Sequence, residues 1–111
     1  MKVLIGLALL ALITGAAIAP AQTKGDVQAG KAVYDTKCKT CHAAKGEGNA
    51  ALAKTLKVTF KDLASKEVQS KSDDELKKNI TDGVGKMLPV KGLADKQLQD
   101  ITAFLRSLAK S

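Results

Sequence analysis

The chain has 111 residues, a length that fits one small domain. It carries 18 Lys and Arg residues against 11 Asp and Glu residues, which gives a net charge of +7 at pH 7. This excess indicates either acidic partner proteins or the ordinary solvation of a small domain's surface. The sequence has no nucleic-acid recognition motif, which argues against DNA or RNA as a partner.

The first residues, Met1–Ala21, have the pattern of a secretory signal peptide. A positive charge on Lys2 precedes a long apolar run, and Ala19-Pro20-Ala21 offers small residues at both positions that a signal peptidase reads. We therefore expect cleavage before Gln22, export to the periplasm, and a mature domain over residues 22–111 with no stable membrane insertion. The alternative is a retained anchor, because the apolar segment is nearly long enough to span a bilayer.

The first helix of the mature domain is predicted to start at Asp26, a good N-cap, and to run into residues 38–42. Its apolar or small residues recur at helical spacing, namely Val27, Gly30, Val33 and Tyr34. Glycine lowers helix propensity by about 1 kcal/mol relative to alanine. Gly30 on the buried face therefore indicates that another backbone passes close to it.

Residues 38–42 read Cys-Lys-Thr-Cys-His, the C-x-x-C-H attachment signature of c-type haem. Residues three and four apart share one face of a helical turn, so Cys38 and Cys41 can reach one edge of a porphyrin and bond to its vinyl groups. His42, the only histidine of the chain, then lies under the iron as an axial ligand. The motif predicts one covalently attached haem c.

Three other interpretations of these residues are weaker. A redox-active dithiol is expected in a βαβ context, whereas the surrounding sequence is rich in Ala, Lys and Leu and indicates helices. A structural zinc site needs about four Cys or His ligands, and the chain has only two cysteines and one histidine. A disulfide between Cys38 and Cys41 would close a loop too short to constrain the unfolded chain much.

The middle of the chain carries weaker signals. A loop with two glycines comes first, followed by a short predicted helix over residues 50–56. Residues 60–63 are expected to form a helical turn that points Phe60 and Leu63 inward. The polar segment 65–71 is expected to be exposed.

Two further helices have clear start signals. The capping-box pattern of residues 72–75 opens a helix that Gly83 and Gly85 are expected to end. Asp95 is the expected N-cap of a last helix that runs to about Ala109. The apolar faces repeat at helical spacing and comprise Leu76, Ile80 and Val84 in the first helix and Leu98, Ile101, Phe104, Leu105 and Leu108 in the second. The chain therefore predicts an all-α fold of three main helices plus one or two short helices.

Met87 lies in a glycine-punctuated loop between these two helices and is the only methionine apart from the initiator. It is a candidate distal ligand, because a soft thioether suits ferrous haem iron and raises its reduction potential. The alternative role is gap-filling in the core. Lys86 and Lys91 are rival ligands, but removing the ammonium proton near neutral pH costs free energy.

These features together resemble the class I cytochromes c, small soluble carriers with one haem, over residues 26–108. Gly30 and Tyr34 match a glycine and an aromatic residue of the family's N-terminal helix, and residues 101–105 resemble the C-terminal helix that crosses it. The resemblance implies the cytochrome c fold around one covalently bound haem. It also implies that attachment and axial ligation are carried out by Cys38, Cys41, His42 and Met87.

Two features depart from the family pattern. Leu88 separates Met87 from Pro89, whereas many bacterial relatives have Met followed directly by Pro. The family also commonly has a proline after C-x-x-C-H whose carbonyl accepts the proximal imidazole N–H, and none lies between His42 and Met87. Another carbonyl, in residues 49–56, is then expected to orient His42.

The resemblance implies a soluble, monomeric periplasmic electron carrier rather than an enzyme. Lysines near the haem crevice would form its docking face for acidic redox partner proteins, with Lys39, Lys45, Lys86 and Lys91 as candidates. Two other functions stay open: a haem subunit of a larger dehydrogenase or oxidase, and a haem enzyme or gas sensor with a labile sixth ligand. The lack of a second histidine for acid–base chemistry counts against the enzyme.

Overall fold

The computed structural model describes Gly15 and residues 25–110. That part of the chain contains six α-helices and no strand: α1 (Val27–Lys37), α2 (Lys39–His42), α3 (Ala50–Leu56), α4 (Lys66–Gln69), α5 (Asp73–Asp82) and α6 (Asp95–Ser107). None of these helices is long and apolar enough to cross a membrane. The all-α class with three main helices is confirmed, with one short helix more than expected. The predicted signal peptide lies outside the described residues apart from Gly15.

The core lies where α1 crosses α6. Tyr34 and Ile101 are fully buried there, and the ring of Tyr34 stacks at a tilt on Phe104 with 4.8 Å between the ring centroids. A Cβ atom on Gly30 would stand 1.9 Å from the carbonyl oxygen of Asp100. Only glycine therefore lets the two helices approach so closely, which confirms the expected passage of another backbone at Gly30.

The start of α1 is fastened to α6 through the buried carboxylate of Asp100. Asp26 is the N-cap, and its side chain accepts from the N–H groups of Gln28 and Ala29 at 2.8 and 3.2 Å. The N–H of Asp26 in turn donates to Asp100 at 2.8 Å, and the ammonium of Lys96 binds the same oxygen. The hydrogen bond from Lys96, followed by the one from the Asp26 backbone, lowers the pKa of Asp100 below its usual value.

The ends of α5 follow the sequence signals. The hydroxyl of Ser72 accepts from the N–H of Glu75 at 3.1 Å, which confirms the predicted cap. Gly83 ends the helix with a φ of 78°. Val84 therefore lies beyond the helix and is 56% exposed, so it does not continue the apolar stripe as expected.

The polar segment before α5 is exposed at Lys66, Glu67 and Ser70, as expected, but not throughout. It contains α4, in which Val68 is buried. The side-chain amide of Gln69 donates to the carbonyls of Leu63 and Leu105 at 2.8 and 2.9 Å. These contacts dock the segment onto α6, and they come from a distant part of the chain that local sequence does not reveal.

Residues 60–63 do not form the predicted helical turn, although Phe60 and Leu63 are half-buried as expected. The N–H of Leu63 donates to the carbonyl of Gly46 at 2.9 Å, and the carboxylate of Asp62 accepts from the N–H of Ala64 at 2.9 Å. An aspartate that bonds to the backbone two residues on favours a tight turn over a helix.

Arg106 of α6 fastens the segment between α4 and α5. Its Nε and Nη2 atoms donate to one carboxylate oxygen of Asp73 at 3.0 and 2.8 Å. Its Nη1 and Nη2 atoms also donate to the carbonyls of Gln69 and Lys71 at 2.7 and 2.5 Å. One planar guanidinium thus satisfies two backbone carbonyls and the first residue of α5.

Candidate functional site

The two cysteines and the histidine lie on one turn, the C-x-x-C-H turn (residues 38–42), which follows α1 after a one-residue break. Cys38 breaks the helix with φ −122° and ψ −33°. The N–H groups of Cys41 and His42 both donate to its carbonyl, at 3.2 and 2.9 Å. The structure therefore brings Cys38, Cys41 and His42 together on a single helical turn, where each side chain is half-buried.

A bend at Ala43 ends this turn. Ala43 has φ 64° and ψ 174°, and its N–H donates to the carbonyl of Lys39 at 2.8 Å. Its own carbonyl accepts from the hydroxyl of Tyr34 at 2.5 Å. The chain then folds back so that the N–H of Gly48 donates to the carbonyl of His42 at 2.8 Å. The backbone on the C-terminal side of His42 is thus held at several points.

The imidazole of His42 packs beside Phe60, with 5.8 Å between the ring centroids. Burial lowers the pKa of His42 below its usual value, because desolvation disfavours the charged imidazolium. Its Nδ1 atom is buried and has no hydrogen-bond partner in the described part of the chain. The expectation that a carbonyl in residues 49–56 orients this ring was therefore wrong.

The chemistry of these side chains fits a covalently bound haem. A neutral imidazole is the form that binds a metal, so the lowered pKa of His42 is compatible with a role as an iron ligand. Burial, and to a smaller extent the neighbouring Cys41, raises the pKa of the Cys38 thiol to about 11. A redox-active C-x-x-C pair needs the opposite shift, so this observation disfavours the dithiol interpretation.

Met87 lies on a separate segment, a tight turn that follows α5. The backbone groups of Val84 and Met87 bond to each other at 3.1 and 2.9 Å, with Gly85 between them at a φ of 57°. The N–H of Val90 then donates to the carbonyl of Ile80 at 2.8 Å and returns the chain to α5. Met87 is half-buried. It does not lie on the C-x-x-C-H turn, and its role as distal ligand stays a prediction.

Helix α3 links these two parts of the site. At its start, the N–H of Asn49 donates to the carbonyl of Cys41 at 2.8 Å and its side-chain amide donates to the carbonyl of Thr40 at 3.2 Å. At its end, the carbonyl of Leu56 accepts from the ammonium of Lys86 at 3.0 Å. The helix has seven residues, so it holds the two contacts about 10 Å apart.

Three neighbours of the C-x-x-C-H turn were missed by sequence reasoning: the hydroxyl of Tyr34, the bend at Ala43 and the cap at Asn49. Asn49 could have been found, because asparagine ahead of a helical segment is an N-cap signal, and its side chain accepts from the N–H of Leu52 at 3.1 Å. The bend could not, because alanine carries no signal for a positive φ.

The surface around the site is basic and partly apolar. The four candidate docking lysines are all exposed, namely Lys39, Lys45, Lys86 and Lys91. Large apolar side chains are exposed near the contact between Lys86 and α3, where Leu56 is 44% and Leu88 is 80% accessible. All four lysine side chains are thus accessible to solvent.

The chain matches the protein family described as cytochrome c over residues 27–109. It is also similar to a solved structure, the KustC0563 c-type cytochrome, with 27% sequence identity and a TM-score of 0.63, covering 73% of this chain and 98% of that chain. No curated protein is similar enough to give a significant match. The matched range contains all the predicted site residues: Cys38, Cys41, His42 and Met87.

Proposed function

This chain belongs to the cytochrome c family, and we propose that it is a soluble periplasmic carrier that moves single electrons between redox proteins. Members of the family bind haem c covalently and generally act in electron transfer, and this chain has one C-x-x-C-H site. The observation that carries the proposal is the C-x-x-C-H turn, which places two thiols and a half-buried imidazole on one helical turn.

In this proposal Cys38 and Cys41 would hold the haem through thioether bonds, and His42 would bind its iron. The bound haem supplies a one-electron couple, and the protein around it supplies position and electrostatics. The residues of the chain keep the imidazole neutral by burial and hold its backbone on both sides, through Cys38 before it and Gly48 after it.

Met87 is the proposed distal ligand. The contact between Lys86 and the carbonyl of Leu56 supports this choice over Lys86, one of the two rival lysines. To bind iron, the Lys86 amine would have to leave that carbonyl and lose a proton, and both steps cost free energy. A thioether needs neither step. With His42 and Met87 both binding the iron, the chemistry that the haem would supply is one-electron transfer.

The first test of the proposal is a pyridine haemochrome assay on protein made in cells with a working haem-ligation machinery. We expect one haem per chain that acidified acetone does not extract. The Cys38→Ala/Cys41→Ala double variant should lose the covalent haem, whereas Thr40→Ala, between the two cysteines, should keep it. A wild-type chain without haem would refute the proposal.

The distal ligand is tested by Met87→Ala, with the neighbouring exposed residue changed in Leu88→Ala as the matched control. We expect Met87→Ala to lose the low-spin ferric spectrum and to lower the reduction potential, because a thioether favours the ferrous state. Leu88→Ala should change neither. If Met87→Ala keeps the wild-type spectrum, another residue is the ligand.

The docking face is tested by charge reversal, since steering by surface charge depends on ionic strength. Lys86→Glu and Lys91→Glu should slow electron transfer to an acidic redox protein at low salt. Lys66→Glu makes the same change of net charge on α4 and should have a smaller effect. Equal rates in all three variants would remove Lys86 and Lys91 from the docking face.

A further inference from the structure

The backbone immediately after His42 adopts a conformation that alanine does not favour. With φ 64° and ψ 174°, Ala43 lies in a region of the backbone map that is populated essentially by glycine. Outliers of this kind persist only where the surrounding contacts over-determine them, and they cluster at functional sites. The contacts around Ala43 therefore show which groups hold its strained backbone in place.

Tyr34 makes the contact that reaches Ala43 from the core. Its side chain is fully buried where α1 crosses α6, with its ring packed on Phe104. Its hydroxyl donates to the carbonyl of Ala43 at 2.5 Å, so the peptide that follows Ala43 is fixed relative to α1 and α6. Ala43 makes two further backbone bonds: its N–H donates to the carbonyl of Lys39 at 2.8 Å, and its carbonyl also accepts from the N–H of Gly46 at 3.3 Å. Both partners lie within four residues of Ala43, whereas Tyr34 belongs to the buried core.

The imidazole of His42 needs a contact that fixes its orientation relative to the core. Its Nδ1 atom has no hydrogen-bond partner among the described residues, so no hydrogen bond of its own at that nitrogen orients the ring. Histidines that bind metals are usually oriented by such a bond. What remains is the contact with Phe60 and the backbone on either side of His42.

We propose that Tyr34 is a positioning residue for His42: its hydroxyl holds the carbonyl of Ala43, keeps the strained bend in place, and thereby sets the plane of the proximal imidazole. The inference rests on the proposed function, in which His42 binds the iron. It predicts that the hydroxyl acts through the backbone, and that its effect disappears when position 43 is a residue that adopts the bend without strain.

The plane of the imidazole can be measured in the holoprotein by proton NMR of the ferric cyanide adduct. Cyanide is cylindrically symmetric and occupies the distal side whatever ligand was there, so the hyperfine shifts of the haem methyl groups report the orientation of the proximal ring. A loss of stability alone does not move them. This readout does not depend on electron-transfer activity or on the identity of the distal ligand.

Tyr34→Phe keeps the buried ring and removes only the hydroxyl, and we expect it to change the order or spread of the haem methyl shifts. Tyr34→Phe/Ala43→Gly should restore the wild-type pattern, because glycine adopts a positive φ without strain. Thr102→Val is the matched control. It removes another buried hydroxyl, which donates to the carbonyl of Leu98 at 2.7 Å, and should leave the pattern unchanged.

An unchanged methyl pattern in Tyr34→Phe would overturn the inference, and so would a double variant that fails to restore the pattern. If Tyr34→Phe yields too little protein, Ala43→Val replaces it: a β-branched residue opposes the positive φ while the hydroxyl remains, and it should shift the pattern as well. A chain without haem refutes the proposed function. A haem-loaded chain whose methyl pattern ignores both positions refutes only the role of Tyr34.

Discussion

Gly30→Ala tests the crossing of α1 and α6 on which the site is built. The new Cβ atom would lie 1.9 Å from the carbonyl oxygen of Asp100 and 2.9 Å from Cβ of Phe104. A close carbon–oxygen contact in proteins is about 3.3 Å, so the helices would have to separate by roughly 1.4 Å at this point. The atom in the way belongs to the backbone of α6, and no side-chain rotation can relieve the clash.

The cost of that separation outweighs the gain in helix propensity. A gap of about 0.5–1 Å already forfeits a quarter to a half of the dispersion energy between packed atoms, and Tyr34 and Ile101 are fully buried at this crossing. Overpacking against a rigid backbone belongs at the upper end of its usual range, about 3 kcal/mol. Alanine recovers about 1 kcal/mol through helix propensity. We expect the free energy of unfolding to fall by about 2 kcal/mol.

The measurement is guanidinium denaturation of the holoprotein, followed by far-UV circular dichroism. Ala32→Gly is the control, because Ala32 lies on the exposed face of the same helix. It should lose about 1 kcal/mol, from helix propensity alone. If Gly30→Ala is as stable as the wild type or more stable, the two helices do not meet as closely as the geometry requires, and the reasoning fails.

Three further predictions concern single side chains. Arg106→Lys keeps the charge but loses the planar group that reaches Asp73 and two carbonyls, so we expect a loss of about 2 kcal/mol in denaturation curves; an unchanged midpoint would contradict this. Ser72→Ala removes the cap of α5 and should lower the free energy of unfolding by about 1 kcal/mol in the same assay. An unchanged free energy would show that the cap does not stabilise the protein. Burial raises the pKa of Tyr34 to about 12. Because this folded-state pKa lies above the unfolded value of about 10, the stabilising contribution is complete below pH 10 and is lost as the pH rises towards 12. The wild type should therefore lose stability relative to Tyr34→Phe over that interval, and parallel pH profiles would refute the assignment.

The main helices could be predicted because their signals are local. Asp26 and Ser72 cap the helices that follow them, and Gly83 ends α5 as glycine commonly does. Helix α6 begins at Asp95, with Ala94 rather than Asp95 as its N-cap, and this shift of one residue leaves its apolar face unchanged. The C-x-x-C-H motif is equally local, so the turn that carries both cysteines and His42 followed directly from the sequence.

The features of the fold and the site that were not predicted depend on contacts between distant segments. A single sequence carries no signal for such contacts. Val68 is buried because α4 docks on α6, although its neighbours are polar. Ala43 has a positive φ, and its carbonyl is held by the hydroxyl of Tyr34 in the core, a contact that the sequence around Ala43 does not reveal. The missing partner of His42 Nδ1 was likewise invisible, since sequence reasoning assumed that some carbonyl would be available.

The unequal ends of α3 have a consequence for how the site opens. The start of the helix is held by two hydrogen bonds from Asn49, whereas its end is joined to the Met87 turn through one exposed ammonium. Exposed bonds of this kind contribute little to stability, so the Met87 turn is attached to α3 more weakly than the C-x-x-C-H turn is. A movement of the Met87 turn away from α3 would require a backbone change near Gly83, which ends α5 and has a positive φ. If Met87 is the distal ligand, as proposed, a small molecule competing for the iron would enter on this side while the three main helices stay folded.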